Sequence, residues 1–368
     1  MARVKLGDVA REYKATIKDT ADLPIVGLEH LTPGEITLER WDVGTENTFT
    51  KGFKKGHMLF GRRRAYLKKA ALAPFDGVCS GDITVIEAIP GKINPELLPF
   101  IIQNDLLFDY AVGNSAGSLS PRVKWESLKG YEFELPELAE QDGLVELLKA
   151  AHRTKKAYQK QITATDELVK SQFIEMFYDK GYPIKTIGQV IDKSITRVGK
   201  KFSKEDVIEY LDISSIDNES KTVTGTTRYA LSSAPSRAQY VLQKDDILYS
   251  TVRPNLQNIA INPYCAPNVI GSTGFCVLRC KDVTTGFMWG LITSDSFTEK
   301  MVSLASGANY PAVTDKIVHA YEFPVPPIAE QKRFEGIVQQ SDKSKFELQE
   351  AIVRIDNFIK SLIQQDDN

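Results

Sequence analysis

The sequence predicts an α+β protein in which one design is used twice. Two similar mixed α/β domains are separated by two long antiparallel coiled-coil helices, giving a pseudo-twofold internal repeat. Three observations lead there. First, residues 117–141, GSLSPRVKWESLKGYEFELPELAEQ, align without gaps on residues 307–331, GANYPAVTDKIVHAYEFPVPPIAEQ, with ten identities in 25 positions. Second, each copy of that segment runs into a stretch almost free of Gly and Pro with a helical period. Third, 368 residues exceed the ~250–300 that a single packed core sustains.

The elements follow in order. Residues 1–137 and 182–325 mix short β-rich runs, such as VCSGDITVIEA and STGFCVLRC, with turn residues and short helical patterns. The repeat extends upstream into them. KGHMLFGRRRAYL (55–67) aligns with KDDILYSTVRPNL (244–256), and Leu6-Gly7-Asp8-Val9 with Ile187-Gly188-Gln189-Val190. Residues 138–181 and 326–368 are the helical segments. In the first, Leu144, Leu148, Ala151, Lys155, Tyr158, Ile162, Thr165, Val169, Gln172 and Met176 recur in steps of four and three. Phe334, Val338, Ser341, Lys345, Leu348, Ile352, Ile355, Ile359 and Leu362 do the same in the second. Such stepping keeps one seam in register over many turns and marks a coiled coil. Two helices packed separately on their own domains are the alternative.

Connectivity adds geometry. About 36 helical residues at ~1.5 Å each span about 54 Å, so a domain is expected at either end of the spacer. The second helix returns antiparallel along the first. Two like heads on a spacer suit a polymer with a repeating surface; ~50 Å corresponds to about 15 base pairs of B-DNA. A twofold protein reading two half-sites is one use of such a design. A coiled-coil adaptor between two proteins fits the same shape.

Composition narrows the class. Hydrophobic residues at 42% and charged residues at 26% are ordinary for a globular chain and exclude a disordered or fibrous one. A net charge of −2 names no partner, so any nucleic-acid signal has to be local. No apolar run is long enough for a membrane span and the N-terminus lacks a signal-peptide core. With four cysteines, a reducing, cytoplasmic setting without a membrane is the expectation.

Locally, charge is concentrated. Residues 51–69, KGFKKGHMLFGRRRAYLKK, hold Lys51, Lys54, Lys55, Arg62, Arg63, Arg64, Lys68 and Lys69 without an acid, interleaved with Phe53, Phe60 and Tyr66. Eight uncompensated positive charges fit a phosphate-tracking surface; a solvated charged face is the alternative. In the second copy Lys193, Arg197, Lys200, Lys201 and Lys204 form a weaker run, again without an acid. Arg64 and Arg253 hold equivalent positions after an apolar run, where an arginine can reach a base edge, a phosphate or a nearby carboxylate. The loops NSAGSLSPRVKW, with Ser118 and Arg122, and ASGANYPAVTDK, with Asn309 and Tyr310, precede helix starts. Their backbone amides can hold a phosphate or simply form a capping turn. Asn255, beside Arg253, completes the candidate DNA contacts.

Nucleotide-binding and zinc-protease motifs are missing: GxGxxG, GxxxxGK[ST] and HExxH do not occur. His30, His57, His152 and His319 are scattered, and Cys276 and Cys280 are spaced too widely for a zinc pair. With Cys265, those cysteines are expected to be small buried residues. Asn262-Pro263-Tyr264 is only faintly like the tetrapeptide of amino-methyltransferases and lacks its fourth residue. A binder rather than a catalyst is expected, against a self-contained DNA methyltransferase or nuclease.

Pro136-Glu137-Leu138-Ala139-Glu140-Gln141 and Pro326-Pro327-Ile328-Ala329-Glu330-Gln331, each opening a long helix, resemble the helix-opening turns of type I restriction–modification specificity subunits. The Gly117 and Gly307 loops and Asp-Ile-Leu-Tyr-Ser-Thr-Val-Arg-Pro at 246–254 carry the likeness further, over essentially the whole chain. Residues 62–66 depart from it in lacking the Arg-Pro pair of Arg253-Pro254. The resemblance implies a noncatalytic subunit that binds no cofactor itself. Its two domains would read the halves of a bipartite target in double-stranded DNA. Its helices would dock two modification subunits carrying S-adenosylmethionine, which restriction subunits using ATP and magnesium would join.

Overall fold

The structure is a computed structural model describing residues 2–20 and 22–363. Met1 and Ala21 of the expected first domain, and residues 364–368 of the expected second helical segment, lie outside the described residues. The chain divides into two compact units, Met1–Lys160 with Leu348–Asn368, and Gln161–Glu347.

In unit 1 a four-stranded antiparallel sheet has the order Ala10–Glu12, Ile83–Ala88, Met58–Gly61, Ala70–Leu72. Its central strand, Met58–Gly61, is buried at every position, so it reads as an unbroken apolar run without alternation. A second sheet pairs Ile25–Val26 parallel to Gly77–Cys79, with Lys51–Phe53 on the other side. The strands Ala2–Lys5 and Glu132–Leu135 close the unit. Short helices Leu98–Ile102 and Asp105–Gly113 bring Phe100 and Phe108 onto the core.

Unit 2 repeats this plan. Its antiparallel sheet runs Ile191–Asp192, Phe275–Cys280, Ile247–Ser250, Ile259–Ile261, and Ile184–Thr186 pairs with Glu322–Pro324. The second sheet is larger, with Val207–Leu211 parallel to Val269–Ser272 between Thr227–Ala230 and Ala238–Val241.

One buried position differs in chemistry between the copies. In unit 1 His57 faces Glu87 at 3.6 Å. At the equivalent register in unit 2, Asp246 accepts two hydrogen bonds from Arg279, at 2.8 and 2.7 Å. Asp246 is 1% exposed, and a charge so deep persists only when paired. The repeat therefore keeps polar residues facing each other at this register, an ion pair in unit 2 and a histidine beside a carboxylate in unit 1.

The long helices are Leu138–Phe177 and Ile328–Ile363, and each unit contains part of both. In unit 1 Leu144, Val145 and Leu148 share a core with Ile359, Leu362 and Ile363, and Lys155 pairs with Asp356 at 2.6 Å. In unit 2 Val169, Phe173 and Phe177 share a core with Phe334 and Val338, and Asp166 pairs with Lys345 at 2.8 Å. The start of one helix thus meets the end of the other, the antiparallel sense. Every seam residue expected from the sequence is buried or half-buried in both helices.

The Ala-Glu-Gln repeat has a structural reason. Gln141 donates from Nε2 to the Pro136 carbonyl at 2.9 Å and accepts the Asn94 amide on Oε1 at 2.7 Å. Gln331 does the same with Pro326 and Thr284, both at 2.8 Å. These side chains are 1% and 0% exposed and satisfy backbone groups that would otherwise be buried unpaired.

Candidate nucleic-acid interface

Each unit builds the same irregular turn where a central strand ends. Arg64 lies in left-handed backbone (φ 54, ψ 58), begins a one-turn 3-10 helix Ala65–Leu67, and is followed by a second left-handed residue, Lys68. Arg253 (φ 51, ψ 64), Pro254–Leu256 and Gln257 repeat it. The Arg-Pro pair missing from unit 1 is therefore not needed for the conformation. A left-handed side-chain-bearing residue costs about 1–2 kcal/mol, and such strain clusters at functional sites.

The glycine loops pack against these turns. The Arg64 amide donates to the Pro121 carbonyl at 2.8 Å, and the Arg253 amide to that of Pro311 at 2.7 Å. Gly117 and Gly307, at φ 111 and 110, make the reversals behind them. Two features read separately along the sequence thus form one surface in each unit. In unit 1 it carries Arg64, Tyr66, Leu67, Ser118 and Leu119, all exposed. In unit 2 it carries Arg253, Asn255, Leu256, Asn309 and Tyr310, also exposed. Arg253 donates to the Asn309 carbonyl at 3.2 Å and lies 4.6 Å from the Tyr310 ring centroid, a cation–π contact that holds its fork.

The charge of residues 51–69 requires correction. Four of its eight positive residues, Lys51, Lys54, Arg63 and Lys68, are compensated, because acids distant in sequence come alongside. Lys51 reaches Glu12 at 3.4 Å and the Ile83 carbonyl at 2.8 Å. Lys54 pairs with Asp76 at 2.8 Å and Lys68 with Asp105 at 2.6 Å, while Lys69 donates to the Leu28 carbonyl at 2.7 Å. Arg63 lies between Asp82 and the Ser120 hydroxyl, and Arg122 is bidentate on Asp82, at 2.7 and 3.2 Å. The Arg122 guanidinium hydrogen-bonded to Asp82 holds that carboxyl below the usual carboxylate range. The Lys55, Arg62 and Arg64 side chains make no ion pair among the described residues, and the Arg62 Nε is buried without a partner.

In unit 2 the basic run keeps its charge. Lys193, Arg197, Lys200 and Lys201 are exposed and make no ion pair among the described residues. Arg197 lies 5.7 Å from the Tyr240 ring and Lys201 5.8 Å from that of Phe202. Lys201 also borders a cleft of about 300 Å³ with Thr196, Gln243, Lys244 and Cys265.

The other chemistry-bearing residues are structural. Cys276 is buried with its Sγ 3.5 Å from His319 Nε2, and burial pushes its thiol well up. Cys280 is half-buried, its thiol raised by burial to about 12. Cys265 is exposed, against the expectation of a buried residue, because it lies on the loop after Ile259–Ile261. Asn262 is fully buried and braces its own turn, accepting the Tyr264 amide and donating to the Gln243 carbonyl. Among the described residues no three His, Cys, Asp or Glu side chains form a metal-ligating group, and no helix is long and apolar enough to cross a membrane. Asp82 and Tyr240 escaped the sequence reading, since nothing linear ties them to Arg122 or Arg197. The one local sign was an acid at the head of an apolar strand.

Residues 179–354 match the family described as type I restriction modification DNA specificity domain. No curated protein matches the chain. A chain from a structure describing complex assembly and conformational transition of the type I R-M system is similar, with a TM-score of 0.57 and 19% identity, covering 98% of this chain and 96% of that one. The type I restriction–modification S subunit from M. genitalium gives 0.52 and 14%, covering 99% and 96%. At these identities the likeness is one of fold, and the family match lies on unit 2, whose plan unit 1 repeats. Residues 179–354 therefore match a type I restriction modification DNA specificity domain, and the chain as a whole has a fold like that of the solved type I restriction–modification chains.

Proposed function

We propose that the chain is the noncatalytic, cytoplasmic recognition subunit of a type I complex, reading a bipartite DNA target with one half per unit. The single observation that carries this reading is the equivalence of the Arg64 and Arg253 turns, strained alike and each backed by a glycine loop. A chain with one reading surface would need that device once. The candidate contacts are Arg62, Arg64, Lys55 and Ser118 in unit 1. In unit 2 they are Arg253, Asn255, Asn309 and Tyr310 with the Lys193–Lys201 run. Exposed arginines suit bidentate base contacts and lysines suit phosphates.

In this reading the paired helices dock two modification subunits, which bring S-adenosylmethionine, and restriction subunits with ATP and magnesium join that assembly. The chain itself holds none of these cofactors. Mapping methylated adenines genome-wide, with and without the gene, tests the proposal. A bipartite motif should vanish on deletion; an unchanged methylation map would refute it. The helices also act as a spacer, so removing one heptad from either should change the permitted distance between half-sites or abolish activity. Unaltered spacing would remove the ruler from the account.

A further inference from the structure

Arg63, Asp82 and Arg122 have counterparts in unit 2 that the backbone identifies. The Arg62 amide donates to the Asp82 carbonyl and the Val123 amide to that of Arg62. In unit 2 the Thr251 amide donates to the Gly274 carbonyl and the Val313 amide to that of Thr251. Residues 63 and 122 form an isolated bridge, as do Val252 and Ala312. The arginine–aspartate–arginine group of unit 1 therefore stands where unit 2 has Val252, Gly274 and Ala312. On the same backbone, folding does not require these charges.

The geometry also says what they are suited to do. Asp82 engages the Nε and one Nη of Arg122, at 2.7 and 3.2 Å, which leaves the far end of the guanidinium as a two-donor fork. The planar fork matches two acceptors side by side, as guanine presents with O6 and N7 in the major groove. Asp82 is half-buried and Arg122 exposed, so the carboxylate lies behind and the fork in front. Arg63 flanks it, with Nη2 3.2 Å from the Ser120 hydroxyl of the glycine loop.

We infer that Asp82 is a positioning residue that presents Arg122 as a rigid donor to a guanine in the half-site read by unit 1, a device unit 2 lacks. The inference rests on the DNA-reading role proposed above. Its closest rival is that Asp82 merely neutralises surplus charge. The two differ in sign: a removed neutraliser strengthens binding to every sequence, whereas a removed support weakens binding to one base.

The test uses the chain assembled with its modification subunits and a DNA library randomised across both half-sites. R253A marks the half read by unit 2. In the other half, D82N and R122A should each lose about tenfold or more of the preference for one guanine, with the R253A-sensitive half unchanged. The triple variant R63V/D82G/R122A, which installs the residues unit 2 carries, should lose the same preference while melting close to the parent. Three results would overturn the inference. They are tighter binding of D82N to all sequences, a uniform loss with base preference intact (a phosphate contact), or a parental half-site without guanine. If the parental complex shows no salt-sensitive DNA affinity, the DNA reading itself fails, a result distinct from all three.

Discussion

The Nε2 of Gln331 donates to the Pro326 carbonyl five residues earlier, at 2.8 Å, in a site with no solvent exposure. The oxygen of the same side chain accepts the amide of Thr284, the residue that caps helix Thr285–Ile292. One amide group thus joins the start of a long helix to the domain beneath it. Gln331→Ala leaves both backbone groups buried and unpaired, at ~1–3 kcal/mol each. A loss of about 2–4 kcal/mol is expected in denaturant unfolding, and an unchanged midpoint would contradict this account of the motif. Gln141→Ala should act likewise in unit 1.

Asp246→Asn strands the half-buried Arg279 beside a neutral amide. Breaking a buried pair from one side costs about 3–5 kcal/mol. Replacing both partners with leucine should be milder than either single change, because no unpaired charge remains. Chemical denaturation of the three variants checks the order; additive single effects would mean that the pair is not coupled.

At the strained turns, function and stability should separate. Arg64→Gly relieves left-handed strain of about 1–2 kcal/mol but loosens the unfolded chain by a comparable ~0.5–1 kcal/mol. Thermal stability should stay level or rise slightly while DNA affinity of the assembled complex falls. A marked drop in melting temperature would show that the Arg64 side chain holds the fold.

Acid should destabilise the protein from the histidine range downward. Burial lowers the pKa of His57, His152 and His319, so each is charged more readily in the unfolded chain than in the fold. The stability they contribute is complete above the ordinary histidine value of about 6.5 and declines as pH falls through their lower folded values. Thermal melts between pH 8 and pH 5 should show the melting temperature falling below that value. A melting temperature that rises on acidification would sink the assignment.

Much of the architecture was legible along the chain because it was written twice. The seam from Leu144 to Met176 appeared as apolar spacing, and its burial follows from helical geometry. The Gly117 and Gly307 loops and the Arg64 and Arg253 positions were found by alignment alone. Their union into one surface was not, because the hydrogen bonds from Arg64 to Pro121 and from Arg253 to Pro311 join segments more than fifty residues apart. The charge of residues 51–69 was misread for the same reason. Glu12, Asp76, Asp82 and Asp105 lie outside or beyond that window, and only folding places them against Lys51, Lys54, Arg63 and Lys68.

Periodicity and repetition, which are local or self-referential, determined the helices, their pairing and the doubled domain plan. Tertiary structure decided which charges remain available and which are already engaged. Ion pairing depends on distances of a few ångströms across the fold, and no linear pattern encodes them. The contrast between Asp82 and Gly274 marks that division: two aligned positions on one backbone plan, with two arginines gathered at the first and none at the second.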